Sequence, residues 1–539
     1  MTTEKQKSLN RKLVPYILFP IIIGILTGAL IFLFKITSSS IIHLSEELYE
    51  AVRQNPVFLP LLILGGAAVG AIAALILKYA KECRGGGIPT AIASIRGLIH
   101  LKWIQGIFVL FGTALLTYLT GVPLGNEGPS VQMGAAVGEV SSNISGKKKS
   151  AYERYFMTGG ACSGFAIATG APLAGIMFAF EEAHKRFSAT LFAVASISVL
   201  FGTVTQRYLC FFFDVDTTFF DFTVSQILPM RYLWAAIIIG AICGICSLIF
   251  TRSYKIIKKL SRTKAKKLPF SAKIIIIFTV TAALGFVSAS FVGTGHSLIE
   301  ALLHGKTVWY SILIAFFVRA ILMICANNEG VCGGIFVPNL AFGAMIASLI
   351  SDGLIALGLV EPQYYTILIV VGMASFLAAA SRTPITAIIF AAEALCIVNN
   401  ILPVIFGVAV SYIIVEASGK MSFTDTVIES RAERARHGKP LFIVESRMIV
   451  KKGSFADDME IRDIIWPPSC TILSIDRDSA HSLNHNSHKV YEGDMIHIHC
   501  QTNDPEQTIK TLESILGEDQ DRVYVQITPC GEDHLVPME

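Results

Sequence analysis

Residues 13–34, 55–77, 103–126, 187–206, 232–251 and 394–415 form six long apolar stretches without a single charged side chain. Each is long enough to cross ~30 Å of hydrocarbon, which takes about 20 helical residues. The pattern predicts a polytopic α-helical membrane protein. Residues 131–140 and 335–350 are also apolar, but Gly and Pro interrupt them. They are expected to be too short or too broken for simple spans. Such backbone survives at membrane depth only where protein or water covers it.

The pattern occurs twice. Residues 160–181 (GACSGFAIATGAPLAGIMFAFE) return 212 positions later as 372–393 (GMASFLAAASRTPITAIIFAAE), matching Gly160 with Gly372, Ser163 with Ser375, Pro172 with Pro384, Phe178 with Phe390 and Glu181 with Glu393. Upstream, Gly125-Asn-Glu-Gly-Pro129 with Gly134 returns 209 positions later as Gly334-Ile-Phe-Val-Pro338 with Gly343. Two segments in one order at nearly one offset indicate duplicated halves, about 13–210 and 231–428. In a membrane protein, Gly/Pro-interrupted segments at corresponding positions of two halves point to a transport site between them.

Composition supports the membrane reading: 53% of the 539 residues are hydrophobic and 16% charged, against about 25% charged in soluble domains. Lys5, Lys7, Arg11 and Lys12 precede a first apolar stretch too long for a signal-peptide core, and no small-residue cleavage site follows. The N-terminus is therefore expected in the cytoplasm. A basic loop from Arg252 to Lys267 between the halves is expected on the same side, and nucleic-acid binding is the rejected rival for it. The eleven Cys are scattered and predict no disulfide framework. Cys243 and Cys246 lie mid-span and read as buried thiols.

Near Thr424 the composition turns charge-rich. Alternating runs at 471–475 and 495–499 and a helical run at 506–516 predict a small soluble α+β domain. The chain is thus expected to divide into a transport domain at 1–428, a linker at 429–446 and a cytoplasmic domain at 447–539. His481, His485 and His488 read either as solvated loop side chains or as metal ligands. His497 and His499 share one face of a predicted strand.

The chemistry lies in the glycine-rich breaks. Gly85-Gly-Gly-Ile-Pro89, Gly125-Asn-Glu-Gly-Pro129 and Gly334-Ile-Phe-Val-Pro338 each put glycine ahead of proline, an arrangement that opens a helix because Pro suits its first turn. A helix N-terminus carries unpaired N–H groups and about half a positive charge. Three converging ends make an anion site without Lys or Arg. Glu127 sits in the first turn of one of them. It reads either as a local capping carboxylate or as a gate that competes with the anion when ionised and makes way when protonated.

These motifs resemble the CLC family of anion channels and proton-coupled antiporters over residues 15–428. GGGIP at 85–89 is similar to that family's GSGIP, GNEGP at 125–129 to its GREGP or GKEGP, and GGIFVP at 333–338 to its GGIFAP. The resemblance implies an inverted-repeat fold of broken helices, a homodimer with one pore per subunit, and Glu127 as external gating glutamate. The anion-binding positions it implies are Gly86, Gly87, Ile88, Gly128, Ile335, Phe336 and Phe423. Glu182, which faces Ala394 across the repeat, matches the antiporter branch's internal proton-transfer glutamate. Two hydroxyl donors of the family are missing, since Gly86 stands for its serine and Phe423 for its tyrosine. Chloride affinity at the central site is therefore expected to be low. Asn126, in place of Arg or Lys, is similar to the fluoride-transporting branch. Residues 447–516 resemble the TrkA-C ligand-binding domain, which implies a small regulatory ligand and a prokaryotic plasma membrane.

The expected activity is exchange of chloride, or other monovalent anions, for protons. A gated anion channel and a fluoride/proton antiporter are the alternatives. No cofactor is expected. A membrane enzyme is not expected either, since no metal-spaced His/Cys set or nucleophile elbow falls within the spans.

Overall fold

The apolar stretches become helices because no other single-segment structure satisfies its own backbone in lipid. The structure, a computed structural model, describes residues 2–143, 149–215, 219–220, 226–305, 307–395, 397–436, 439–477, 480–482, 489–518 and 524–529. Its first half runs α1 Thr2–Gln54, α2 Leu59–Tyr79, α3 Ile88–Ile95, α4 Leu110–Leu119, α5 Glu127–Asn143, α6 Lys149–Thr169, α7 Pro172–Phe178 and α8 Ala189–Phe213. The second runs α9 Leu233–Thr263, α10 Phe270–Val287, α11 His296–Leu303, α12 Trp309–Glu329, α13 Phe336–Ala356, α14 Tyr365–Ser381, α15 Pro384–Ala394, α16 Ile401–Ala417 and α17 Phe423–Arg436. Among the described residues nine helical stretches are long and apolar enough to cross a membrane. This is a multi-pass membrane protein.

Three expectations change. Residues 336–356 form one continuous helix of 21 residues rather than a broken segment. Pro338 falls in its first turn, where the missing N–H has no intrahelical partner to lose. The stretch 103–126 is helical only as far as Leu119, with a π-helical turn at Gln105–Val109 near its start. Gly121, at φ 68, follows its end. The basic loop is largely not a loop: α9 runs on to Thr263, so Arg252 through Arg262 occupy its last turns. Lys and Arg are good helix formers and suit a helix C-terminus.

The repeat is visible in the packing. Gly134 of α5 and Gly160 of α6 approach so closely that neither leaves room for a Cβ, and their counterparts Gly343 of α13 and Gly372 of α14 do the same. The halves also exchange caps. The carboxylate of Glu181 accepts hydrogen bonds from the backbone N–H groups of Ile385 (2.8 Å) and Thr386 (2.6 Å) at the start of α15. Glu393 accepts from those of Leu173 and Ala174 (3.0 Å each) at the start of α7. Each glutamate thus satisfies orphan donors of the opposite half.

The soluble domain is built on a five-stranded sheet of order β4-β3-β6-β1-β7, with β1 Phe442–Ile449, β3 Cys470–Arg477, β4 Ala480–Ser482, β6 Met495–Thr502 and β7 Tyr524–Pro529. A two-stranded sheet pairs β2 Met459–Glu460 with β5 Lys489–Val490. Helix α18 Pro505–Leu516 is capped by Asp504, which accepts from the Gln507 N–H at 3.1 Å. The predicted runs at 471–475, 495–499 and 506–516 fall on β3, β6 and α18. The boundary drawn at 428 falls inside α17, and β1 begins within the span read as a linker. Charge made residues 429–436 look solvated, yet Ser430, Arg431 and Ala432 are buried. Against the expectation of no disulfide, Cys470 and Cys500 are bonded. They stand opposite one another on β3 and β6, a pairing that spacing along the chain does not reveal. Cys243 is buried as a free thiol, and Cys246 is half-buried.

The domain docks on the membrane helices. The ring of Phe455 meets those of Tyr152 (5.2 Å), Tyr155 (5.8 Å) and Tyr16 (6.4 Å). Arg154 donates to the Trp466 carbonyl at 2.6 Å and Arg186 to that of Ile464 at 3.1 Å, while the Tyr155 hydroxyl donates to the Asp463 carbonyl. The Tyr16 end of α1 therefore lies on the soluble-domain side.

Replacing Glu181 or Glu393 by Ala is expected to cost ~1.5–3 kcal/mol, the value of hydrogen bonds to a charged group, read as a lower thermal midpoint in detergent. An unchanged midpoint in both variants would remove the caps from the account of stability. Phe455→Ala should loosen the docked domain, seen as faster proteolytic release. Equal cleavage rates in variant and wild type would show that the aromatic contact does not hold it.

Candidate functional site

Three helices begin where the glycine breaks predict: α3 at Ile88, α5 at Glu127 and α13 at Phe336. Their breaks meet. Gly125 and Gly334 form an isolated antiparallel bridge, with N–H to O distances of 2.8 and 2.6 Å between donor and acceptor atoms. Gly333 donates to the Gly86 carbonyl at 3.0 Å, and Gly85 to that of Gly330 at 2.7 Å. A Cβ on Gly128 would lie 2.5 Å from the Gly334 Cα and 3.0 Å from the Gly87 Cα. Only glycine permits three backbones to come so close. The junction brings together Gly86, Gly87, Ile88, Gly128, Ile335 and Phe336, all buried.

Two of these positions differ from expectation in detail. The Gly87 N–H donates to the side-chain oxygen of Gln132 at 2.8 Å, so it is not left open for a ligand. The side of Gly86 where a serine would project is occupied by Leu110, with the Gln132 oxygen 3.1 Å from the Cβ position. Gln132, five residues into α5, was not legible as part of the site. The ring of Phe336 stands edge-on to Phe165 (5.1 Å) and Phe390 (5.0 Å), which belong to opposite halves.

Glu127 is fully buried; its carboxylate makes no hydrogen bond of good geometry, and the backbone N–H groups of Glu127 itself and of Val337 face it. The Nε2 of His296, the first residue of α11, lies 4.0 Å from Oε1. Its Nδ1 is held 3.1 Å from the Thr294 hydroxyl. Nothing in the sequence around His296 marks it, because the contact joins residues far apart in the chain.

Glu182 and Phe423 stand on other elements. Glu182 is buried in the π-helical turn Ala179–Ala183 that ends α7. Arg96 donates to its backbone carbonyl and to that of Ala183, at 2.8 Å each. Asp425 of α17 stands in the same cluster, 3.6 Å from the Arg96 guanidinium and 2.5 Å from the Lys185 ammonium. Phe423 is fully buried, with its ring against Phe250 (4.9 Å) and Tyr254 (5.4 Å).

In the soluble domain two histidines stand near carboxylates. His499 Nδ1 lies 3.3 Å from Glu445, and His497 Nε2 lies 4.0 Å from Asp476. Among the described residues no three His, Cys, Asp or Glu side chains gather as metal ligands. His485 and His488 lie outside the described residues, as does the side chain of His481.

A family model for the voltage gated chloride channel matches residues 65–416. Among solved structures the fold is similar to a slow cyanobacterial Cl−/H+ antiporter, at 22% identity over 78% of this chain and 99% of that one, with a TM-score of 0.69. It is also similar to a eukaryotic CLC transporter (21%; 77% and 74%; 0.61) and to a CLC-type fluoride/proton antiporter (20%; 77% and 98%; 0.60). At these identities the likeness is one of fold. The matched family model spans most of the membrane helices and more than half of the chain, and the chain belongs to the voltage-gated chloride channel (CLC) family.

Proposed function

We propose that this protein is a secondary active transporter that exchanges chloride, and other monovalent anions of similar size, for protons. The observation that carries the reading is Glu127: a fully buried carboxylate, facing the backbone N–H groups of Glu127 itself and of Val337, in the first turn of one of three helices whose N-termini meet. A desolvated anionic side chain and a desolvated anion compete for the same N–H groups and the same positive helix ends. When Glu127 is ionised it takes the place of the anion; when protonated it yields. One proton and one or more anions are thereby forced to move in alternation.

Glu182 supports the coupled reading. It is a second buried acid, set apart from the junction among Arg96, Lys185 and Asp425, and it suits proton delivery from the soluble-domain side. On that side, a cavity of ≈ 450 Å³ is lined by Lys81, Arg84, His100, Arg434, Arg436 and Lys439 among others. A positively lined vestibule raises the local anion concentration. Within this reading the chain works as a homodimer in the plasma membrane, with both termini in the cytoplasm. Residues 1–428 carry transport. The docked C-terminal domain, similar to TrkA-C, takes a small regulatory ligand.

In liposomes, Glu127→Gln should lose anion-driven proton movement and keep anion flux; proton pumping by that variant would sink the gate assignment. Glu182→Gln should also continue to pass anions while proton uptake stops, and normal coupling there would show that the proton enters by another group. A wild-type reversal potential that ignores an imposed pH gradient would make the protein a channel.

A further inference from the structure

A carboxylate that no solvent touches must trade its proton through a neighbour that reaches water, and Glu127 has no exposed surface. Among the described residues the basic side chain within ion-pair distance of it is His296, whose Nε2 lies 4.0 Å from Oε1. The His296 side chain is 26% exposed, so it spans the boundary that the carboxylate does not reach. Its other nitrogen, Nδ1, is 3.1 Å from the Thr294 hydroxyl. The rings of Phe219 and Phe220 flank the imidazole, at 5.0 and 5.1 Å between centroids.

Thr294 also lines a cavity of ≈ 240 Å³, together with Glu46, Glu50, Arg53, Tyr118 and Ser297. This cavity opens on the membrane face opposite the soluble domain. Tyr16 marks the soluble-domain end of α1, and Glu46 stands about 45 Å further along the same helix at about 1.5 Å per residue, beyond the ~30 Å of hydrocarbon. The cavity reaches the junction from that face, since the Tyr118 hydroxyl donates to the Gly125 carbonyl at 2.9 Å. The Ser297 hydroxyl, next to His296, donates to Glu46 at 3.0 Å. Arg319 of α12 fixes the loop that carries Thr294 and His296 by donating to the carbonyls of Val292 (2.6 Å) and Gly293 (2.7 Å). The charged groups around the imidazole are thus Glu127, Arg319, Glu300 one turn along α11, and Lys35 of α1, whose charge both the ring and the carboxylate feel. Of the helices packed most on α11, α14 has no charged residue, and α13 has Asp352 alone, about four turns from its Phe336 end.

We propose that His296 is the proton relay between this outer cavity and Glu127, with Thr294 as its outer contact. An imidazole can accept a proton at one nitrogen while it donates from the other, and here the two nitrogens face the two groups to be joined. A proton from water in the cavity enters at Nδ1 by way of the Thr294 hydroxyl, which gives up its own proton and takes one in. The proton on Nε2 then passes to Oε1 of Glu127. One proton has entered the ring and one has left it, and the ring regains its first tautomer by exchange with water at its exposed edge. The 4.0 Å gap closes with a small rotation of the carboxylate or with one bridging water. The relay rests on the exchange reading, in which Glu127 gains and loses a proton in each cycle, and it assigns the route on the side that Glu182 does not serve.

The test uses the full-length protein in liposomes, with protease access to the soluble domain reporting orientation. His296→Gln keeps a hydrogen-bonding side chain that carries no proton, and His296→Phe keeps a ring against Phe219 and Phe220. Both should lower coupled turnover at neutral outer pH by about a hundredfold, the low end of what a positioned proton donor contributes. The chloride KM and the proton-to-anion ratio should stay as in wild type. Imidazole added on the face opposite the soluble domain should restore turnover in His296→Gln, and the solvent deuterium isotope effect should grow there because proton entry has become rate-limiting. Folded His296→Gln with wild-type turnover and outer-pH profile would overturn the relay. So would a loss that imidazole does not restore and that leaves the isotope effect unchanged, which is how a packing defect behaves. Glu127→Gln run alongside separates the two claims. If it still pumps protons, the exchange reading fails and the relay falls with it; if it is uncoupled while His296→Gln turns over as wild type, the relay alone fails.

Discussion

Backbone polar groups at membrane depth must be paired within the protein, and the arrangement of the membrane helices follows from how this chain meets that demand where they break. Each glycine break frees N–H and C=O groups that neither lipid nor a neighbouring turn can satisfy. The breaks satisfy one another: Gly125 with Gly334, Gly86 with Gly333 and Gly85 with Gly330. Glycine is needed for the contact as much as for the turn, since a single Cβ at Gly128 would drive two of the three strands of backbone apart. The convergence of helix ends that suits an anion is thus the same arrangement that makes interrupted helices tolerable in a bilayer.

Most of the fold was legible because the features that specify it are local or repeated. Charge-free length gives spans, Gly before Pro gives helix starts, and recurrence of Gly160 through Glu181 gives the two halves. The starts of α3, α5 and α13 lie where those rules put them. Two of the errors share a cause, which is that charge was read as exposure. Arg252 to Arg262 continue a helix, and residues 429–436 are the end of α17 rather than a linker. Arg431 was invisible for that reason: within a run of Glu, Arg and Ala it looks like one more solvated cation.

The candidate site was legible in its backbone and not in its side-chain company. Gly86, Gly87, Ile88, Gly128, Ile335 and Phe336 come together as their motifs imply. Gln132 taking the Gly87 N–H, His296 beside Glu127, Asp425 in the cluster around Glu182 and Tyr254 against Phe423 are all pairings between distant elements. No spacing within a motif encodes them. The two family positions that lost hydroxyls also show why a motif is an incomplete description of a site. Leu110 fills the side of Gly86, and Phe423 is locked among rings, so the surroundings have adjusted to the loss.

The exchanged caps of Glu181 and Glu393 bear on how such a chain can arise. Half of this molecule, taken alone, would contain a helix start without acceptors and a half-buried carboxylate without donors. Two copies of that half, inserted in opposite directions, would cure both defects at once, each lending its glutamate to the other's helix. An ancestor of half the length would therefore have been viable as an antiparallel pair before it was viable as a single subunit. The fused chain keeps the mark of that mutual dependence in two glutamates 212 residues apart.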